Sequence, residues 1–211
     1  MIRQLFKVPS SCYVACSGGV DSMAVLDFLN KGNKVRGALY FNHQTSQSND
    51  FESIVYQYCA DNSLEFLSKT LEKEKDETSL ESFWSKERNN FFKMIDGPVV
   101  TAHNLDDVIE WWIYTSLRGN PKIMPSSNKN ILRPFLSTKK SSLKSWALTR
   151  NIDYIEDETN KDVRFMRNFI RHQLMPGCQV VNPGLHKTIF KKLHERESNV
   201  SKNRRRCSPR I

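Results

Sequence analysis

Cys12-Tyr13-Val14-Ala15-Cys16-Ser17-Gly18-Gly19-Val20-Asp21-Ser22 is the stretch on which the fold turns. It opens with an apolar run of strand length, and Met23, Val25, Leu26, Phe28 and Leu29 follow at helical spacing up to Gly32. Between the two, a pair of glycines lets the backbone turn tightly and approach a ligand with no Cβ in the way. Unpaired N–H groups at the start of the following helix converge on that turn, and with the helix dipole they form an anion site. Ser17 and Ser22 add hydroxyls, so Ser17, Gly18, Gly19, Val20, Asp21 and Ser22 together are expected to hold phosphate. Asp21 is the odd member: a carboxylate beside phosphate is repulsive unless a cation lies between them, which points to Mg2+. The spacing is not G-x-x-x-x-G-K-[ST], so this is not a Walker loop.

Outward from the loop, strand and helix signals alternate. A strand is expected over residues 35–41, then a helix over 50–60 with Phe51, Ile54, Val55 and Tyr58 on one face. A weaker strand over 64–67 and a charged loop over 72–77 precede a helix over 80–94, a strand over 98–102 and a helix over 105–117. Such alternation implies a parallel sheet covered on both faces, a Rossmann-like doubly wound α/β fold with a small helical C-terminal extension. Residues 118–130, rich in Gly, Pro, Ser, Asn and Lys, read as a mobile loop. Further helices are expected over 143–148, with Ser137 and Thr138 as caps, over 164–174, stopped by Pro176-Gly177, and over 185–197, with disorder after Ser198. The chain divides accordingly into a nucleotide-binding core at 1–135, the rest of a catalytic domain at 136–180, and a basic helix and tail at 181–211.

The second chemical signal is His103-Asn104-Leu105-Asp106-Asp107-Val108-Ile109-Glu110. At helical spacing His103, Asp107 and Glu110 share a face, which begins at the C-terminal edge of the sheet, where open α/β folds place their ligands. Neighbouring carboxylates are costly unless a cation joins them, either Mg2+ or the ammonium groups of an amino acid.

Charge adds a partner. The net charge is +9, and residues 187–211 alone hold nine Lys/Arg, Lys191 and Lys192 among them, against Glu195 and Glu197. A nearly neutral body with a basic end suits a polyanion. No apolar run approaches the roughly 20 residues that span a bilayer, and the first residues are too polar for a signal peptide. Five cysteines at irregular spacing contain no C-x-x-C pair, so reduced thiols in a cytoplasm are the expectation.

Four segments together resemble the tRNA(Ile)-lysidine synthetase family of PP-loop ATP pyrophosphatases. They are the Ser17–Ser22 loop; Thr101-Ala102-His103-Asn104-Leu105-Asp106-Asp107 with Glu110 and Leu117-Arg118-Gly119; Leu132-Arg133-Pro134-Phe135-Leu136; and Ile155-Glu156-Asp157-Glu158-Thr159-Asn160 with Asp162, Arg167-Asn168-Phe169-Ile170-Arg171 and Pro176. Ser79-Leu80-Glu81 with Arg88 is a weaker match, and His43 falls where the family has a histidine after its second strand. Ser85, Asn89 and Asn104 depart from the family's usual arginine, tyrosine and histidine, and the chain reads as a short form without the usual further C-terminal domains.

The resemblance implies that ATP adenylates the wobble cytidine of a tRNA(Ile) with a CAU anticodon and releases pyrophosphate. L-lysine then displaces AMP to give lysidine. It also implies the following roles. Asp21, Asp107 and Glu110 are catalytic. The loop, His43 and Arg88 bind ATP. Asp107 and Glu110 hold lysine, or Asp107 joins Asp21 at the metal. Arg118, Arg167, Arg171, Lys191 and Lys192 contact tRNA. Rival readings are a PP-loop tRNA thiolase and a catalytically weak RNA-binding relative.

Overall fold

The computed structural model describes residues 1–72, 80–157 and 162–207. Cys12–Ala15 forms β1, Val20–Lys31 α1, Val35–Asn42 β2, Ser48–Asp61 α2, Glu65–Thr70 β3, Leu80–Met94 α3, Val99–Thr101 β4 and Leu105–Leu117 α4. Two short strands follow, β5 (Ser127–Asn128) and β6 (Ile131–Leu132), and then α5 (Lys140–Thr149). The chain ends in α6 (Met166–Phe169), a π-helical turn (Ile170–Leu174), α7 (Met175–Val181) and α8 (Leu185–Cys207).

The sheet order is β3-β2-β1-β4-β6-β5, parallel throughout except for the β5–β6 pair. The chain winds outward from β1 to β3 and then crosses back to β4, which makes the gap between β1 and β4 the switch point of the sheet. Strand alternation sorts the core into two faces. Cys12, Val14, Ala38, Tyr40 and Val100 point to one side, against Met23 and Leu26 of α1 and Leu143 and Ala147 of α5. Tyr13, Leu39, Phe41 and Val99 point to the other, against Phe91 and Phe92 of α3. This period of two, apolar on both faces, is what a doubly covered parallel sheet requires. A third apolar cluster joins Leu105, Val108, Ile109 and Ile113 of α4 to Ile170, Met175, Leu185, Ile189 and Leu193.

Four local expectations are corrected. His103 precedes α4 rather than riding on it, because Asn104 takes the N-cap and closes a capping box with Asp107. Ser137 and Thr138 do not cap α5. Their hydroxyls donate to the Arg3 carbonyl (3.2 and 2.6 Å), and the Lys140 N–H donates to Asp106 Oδ2 instead (2.8 Å). Pro176 does not stop the helix: the backbone stays helical through the π turn and Met175 into α7, and Pro176 falls where the π turn gives way to α-helix. Helix α8 passes the expected end at Glu197 and reaches Cys207, through Lys202 and Arg204 to Arg206, whose intrinsic helix propensity is good. Residues 118–130 are also better tied than their composition suggests. Ile123 and Met124 pack on the third cluster, the Lys122 N–H donates to Thr115 Oγ1 (2.9 Å), and Ser126 Oγ donates to Glu197 (2.8 Å). The expected charged loop over 72–77 lies almost wholly outside the described residues, as do Ser79 and Glu158 to Asn160 of the family-like segments.

Candidate active site

Every strand that ends near the switch point delivers a polar group to the C-terminal edge of the sheet. Behind β1 comes the glycine loop. Gly18 has φ +77°, and a Cβ there would lie 2.9 Å from both the carbonyl oxygen and Cδ1 of Phe51. Only glycine fits this turn, for its conformation and for the space it leaves. Gly19 caps α1 with no side-chain hydrogen bond, so the first N–H groups of the helix face the loop uncapped. Ser22 Oγ is drawn inward: it accepts from the Ser17 N–H (3.1 Å), donates to the Gly19 carbonyl (2.9 Å) and lies 3.2 Å from Ser17 Oγ. Ser22 therefore shapes the loop, while Ser17 is exposed at its mouth. From outside, the Ile155 N–H donates to the Gly18 carbonyl (3.0 Å) and braces the turn.

Asp21 stands at the loop's inner wall. Its Oδ2 accepts from Asn104 Nδ2 (3.3 Å) and meets Lys140 Nζ at 3.4 Å. Its Oδ1 is buried and has no hydrogen-bond partner. Burial pushes the Asp21 carboxyl above the usual range, Lys140 pulls it back, and Asp107 raises it further. A buried, partnerless carboxylate oxygen beside uncapped helix N–H groups fits Mg2+ carried in with a polyphosphate. Among the described residues no group of three or more His, Cys, Asp or Glu could hold a metal by itself.

Across the gap, behind β4, lie Asp107 and Glu110. Both are buried, and both are engaged. Asp107 Oδ2 accepts from the Asn104 N–H (2.8 Å), and Oδ1 pairs with Arg167 and, at 3.4 Å, with Arg171. Glu110 Oε2 accepts from Arg167 Nε (3.0 Å), and Oε1 from Arg171 Nε (2.7 Å). Arg167 and Arg171 thus turn inward onto the acidic pair rather than outward towards a polyanion, and both Asp107 oxygens are taken where a metal ligand was expected. Burial alone would raise the Asp107 pKa, but Arg167, His103, the Asn104 amide and Arg171 outweigh it and hold it below the usual range. Asn104 joins the two walls, since its side chain reaches Asp21 while its N–H holds Asp107.

The far side of the edge is cationic. His43, behind β2, packs between Phe41 and Trp84 with ring centroids 4.9 and 5.0 Å away, and its Nδ1 is buried without a partner. Burial, then Arg88, brings its pKa down to about 4. His103 meets Thr101 Oγ1 at 2.8 Å and is lowered to about 3, mainly by burial. Burial also lowers Arg88 to about 10, helped by Arg167 and Arg133, and Arg133 Nε has no partner. Among the described residues neither Arg88 nor Arg133 pairs with a carboxylate, and two such cations side by side favour an anion between them. Arg118, Lys191 and Lys192 are exposed and lie outside this cleft, on α4's last turn and on α8. Lys140 was missed as a site residue, and Ile155, although it opens a family-like segment, gave no sign of bracing the loop, because α5 and the segment after it reach the loop only through the tertiary fold.

The PP-loop domain family model (ATP_bind_3) matches residues 2–178. The tRNA(Ile)-lysidine synthase of Francisella tularensis subsp. novicida is 31% identical over 195 residues, 86% of this chain and 49% of that protein. The one from Petrotoga mobilis is 27% identical over 207 residues, 89% of this chain and 66% of that protein. The chain therefore spans about half the length of the first of these curated relatives and two thirds of the second. Among solved structures, the U34-tRNA thiolase NcsA from Methanococcus maripaludis, with its 4Fe–4S cluster, superposes with a TM-score of 0.71 at 16% identity. That match covers 91% of this chain and 75% of the other, and it is a likeness of fold.

Proposed function

Because the chain belongs to the PP-loop domain family, we propose that it is an ATP-dependent tRNA-modifying ligase, a lysidine synthetase acting on the wobble cytidine of a tRNA(Ile) with a CAU anticodon. The observation that carries this reading is the partnerless Asp21 oxygen inside the glycine loop, bridged through Asn104 to a buried acidic pair. One wall suits a triphosphate and the other a cationic substrate.

In this reading the loop N–H groups grip the leaving pyrophosphate, and Asp21 would hold a Mg2+ ion that would supply charge neutralisation on the phosphates. Lys140 and Arg88 add positive charge from either side. The cytidine oxygen bonds to the α-phosphorus as pyrophosphate departs; the lysine amine then bonds to carbon 2, the bond to the adenylated oxygen breaks, and AMP leaves. Asp107 and Glu110 receive the amino acid's cationic end by exchanging their contact with Arg167, the more exposed of the two arginines. The attacking amine must first lose a proton, and its free pKa is about 10.4. Entry into an edge where burial already lowers His43, His103 and Arg88 brings the amine's pKa down by the same means. Arg118, Lys191 and Lys192 meet the tRNA backbone.

Lysidine is favoured over thiolation because no C-x-x-C pair is present, and of the cysteines only Cys178 is described as partly exposed, whereas Cys12, Cys16 and Cys59 are buried with pKa values pushed up to about 11, the reverse of an activated thiol. The test is incubation with ATP, Mg2+, labelled L-lysine and the tRNA, followed by mass spectrometry of the anticodon nucleosides. A lysine adduct on the wobble cytidine is expected, with pyrophosphate released only when tRNA is present and AMP released only when lysine is added as well. Formation of ADP, or pyrophosphate release indifferent to tRNA, overturns the reading.

A further inference from the structure

Helix α4 carries a second pattern on the stripe that begins at Asp107. Trp111, Tyr114 and Arg118 follow at spacings of four, three and four, so all lie on one line along the helix. The Trp111 and Tyr114 rings are 5.9 Å apart between centroids and tilted by 39°, and the Arg118 guanidinium lies 4.9 Å from the Tyr114 ring centre. Trp111 is 37% exposed and Leu117 beside the stripe is 71% exposed. Packing does not explain Trp111. Its neighbour Trp112 is the one that joins the apolar cluster beneath α4, so the helix already has its inward tryptophan. Among the described residues Arg118 meets only the Tyr114 ring and no carboxylate, which leaves its guanidinium edge open to an anion. Lys122, also exposed, is folded back to the same end of the helix by its N–H bond to Thr115.

We propose that the Trp111–Tyr114–Arg118 stripe is a stacking platform for unpaired RNA bases, leading outward from the cleft. Tyr114 is half-buried on the cluster beneath α4 and carries Arg118 over its ring, so it fixes the row while the exposed Trp111 ring and the Arg118 guanidinium present the faces on which bases can stack, with positive charge at the end for the backbone. From Trp111 to Arg118 the helix rises about 10 Å at ~1.5 Å per residue. That length takes about three bases at ~3.4 Å each. Because the stripe starts one turn from Asp107, a strand that delivers one nucleotide to the cleft has its neighbours laid along it. Charge decides between RNA and a protein partner: Arg118 and Lys122 pair with no carboxylate among the described residues, and the basic helix α8 packs against α4. The proposal rests on the RNA-substrate part of the proposed function and names the contact that would hold the unpaired nucleotides.

The experiment measures binding of two probes to the full chain, a hairpin RNA with an unpaired loop and a blunt duplex of equal length. Trp111→Ala should weaken hairpin binding about fivefold to a hundredfold, the worth of one stacked base, and leave duplex binding unchanged. Trp111→Phe should retain most of the hairpin affinity but lose the tryptophan quenching that the hairpin produces in the parent, a readout that survives if the alanine variant folds poorly. Equal losses on both probes, no loss on either, or no hairpin binding by the parent overturns the platform. So does a dimer in the parent that Trp111→Ala converts to monomer with RNA binding intact, since the occupant would then be a second copy. Hairpin binding that depends on Trp111, together with pyrophosphate release indifferent to RNA, would leave the platform standing and remove the ligase reading.

Discussion

Arg171→Leu should destabilise the protein more than Arg167→Leu, although both arginines touch the same two carboxylates. The Glu110 side chain is 4% exposed and takes two nitrogens from Arg171, at 2.7 and 3.2 Å, against one from Arg167 at 3.0 Å. Arg171 is 20% exposed and Arg167 42%. Breaking a buried ion pair by deleting one partner costs about 3–5 kcal/mol, because a charge is left without compensation. The retained Arg167 contact offsets part of that, so about 2–4 kcal/mol is expected for Arg171→Leu. Solvent screening reduces the Arg167 contribution, and about 1–2 kcal/mol is expected there. The double variant Glu110→Leu/Arg171→Leu should regain most of the loss, since an apolar pair of similar volume replaces the ionic one. Urea unfolding with linear extrapolation reads all three. Acid adds a second signature. Asp107 is held below its unfolded pKa, so its contribution is complete above about pH 4 and is lost as pH falls through the folded value. With Arg167 removed, that loss should begin at a higher pH. If Arg167→Leu proves the more damaging change, or the double variant recovers nothing, the inward clamp is not the arrangement that stabilises this helix.

The glycine loop and the basic helix give three more expectations. Gly18→Ala forces a side chain into the left-handed region and against the Phe51 carbonyl at 2.9 Å, so it should cost about 2–4 kcal/mol in thermal or urea unfolding and weaken ATP binding at least tenfold. Asp21→Asn removes the partnerless carboxylate; unfolding experiments should show it as stable as the parent or slightly more so, while calorimetry shows the Mg2+ dependence of nucleotide binding largely gone. Truncation after Ser198 should weaken tRNA binding and flatten its dependence on salt concentration, by a slope of about one for each lost phosphate contact. Cutting after Lys192, the point that charge alone suggests, would also remove the fully buried Leu193 and confound the result.

What could be read beforehand follows the range of the forces involved. Strands β1, β2 and β4 and helices α1, α3 and α4 announce themselves because apolar period and glycine punctuation are local properties of the chain. The loop could be read for the same reason: its turn, its helix start and Asp21 are contiguous. Asp107 and Glu110 could be placed on one helix face, and that face does line the cleft. Their partners were hidden, because a pair of arginines four apart looks the same whether it faces solvent or a carboxylate tens of residues upstream. Lys140 and Ile155 belong to the same class, being brought to the loop by packing of α5 on α1 and by one backbone hydrogen bond. Pro176 reads as a stop because proline ordinarily breaks a helix, and the π turn that carries the backbone through it leaves no local signal.

Asn104 has a consequence of its own. One amide side chain touches the nucleotide loop while the same residue's main chain anchors the first turn of α4, so the two halves of the cleft share a hinge pin. Asn104 thereby sets the distance between Asp21 and the first turn of α4, so Asn104→Ala would loosen both walls in a single change.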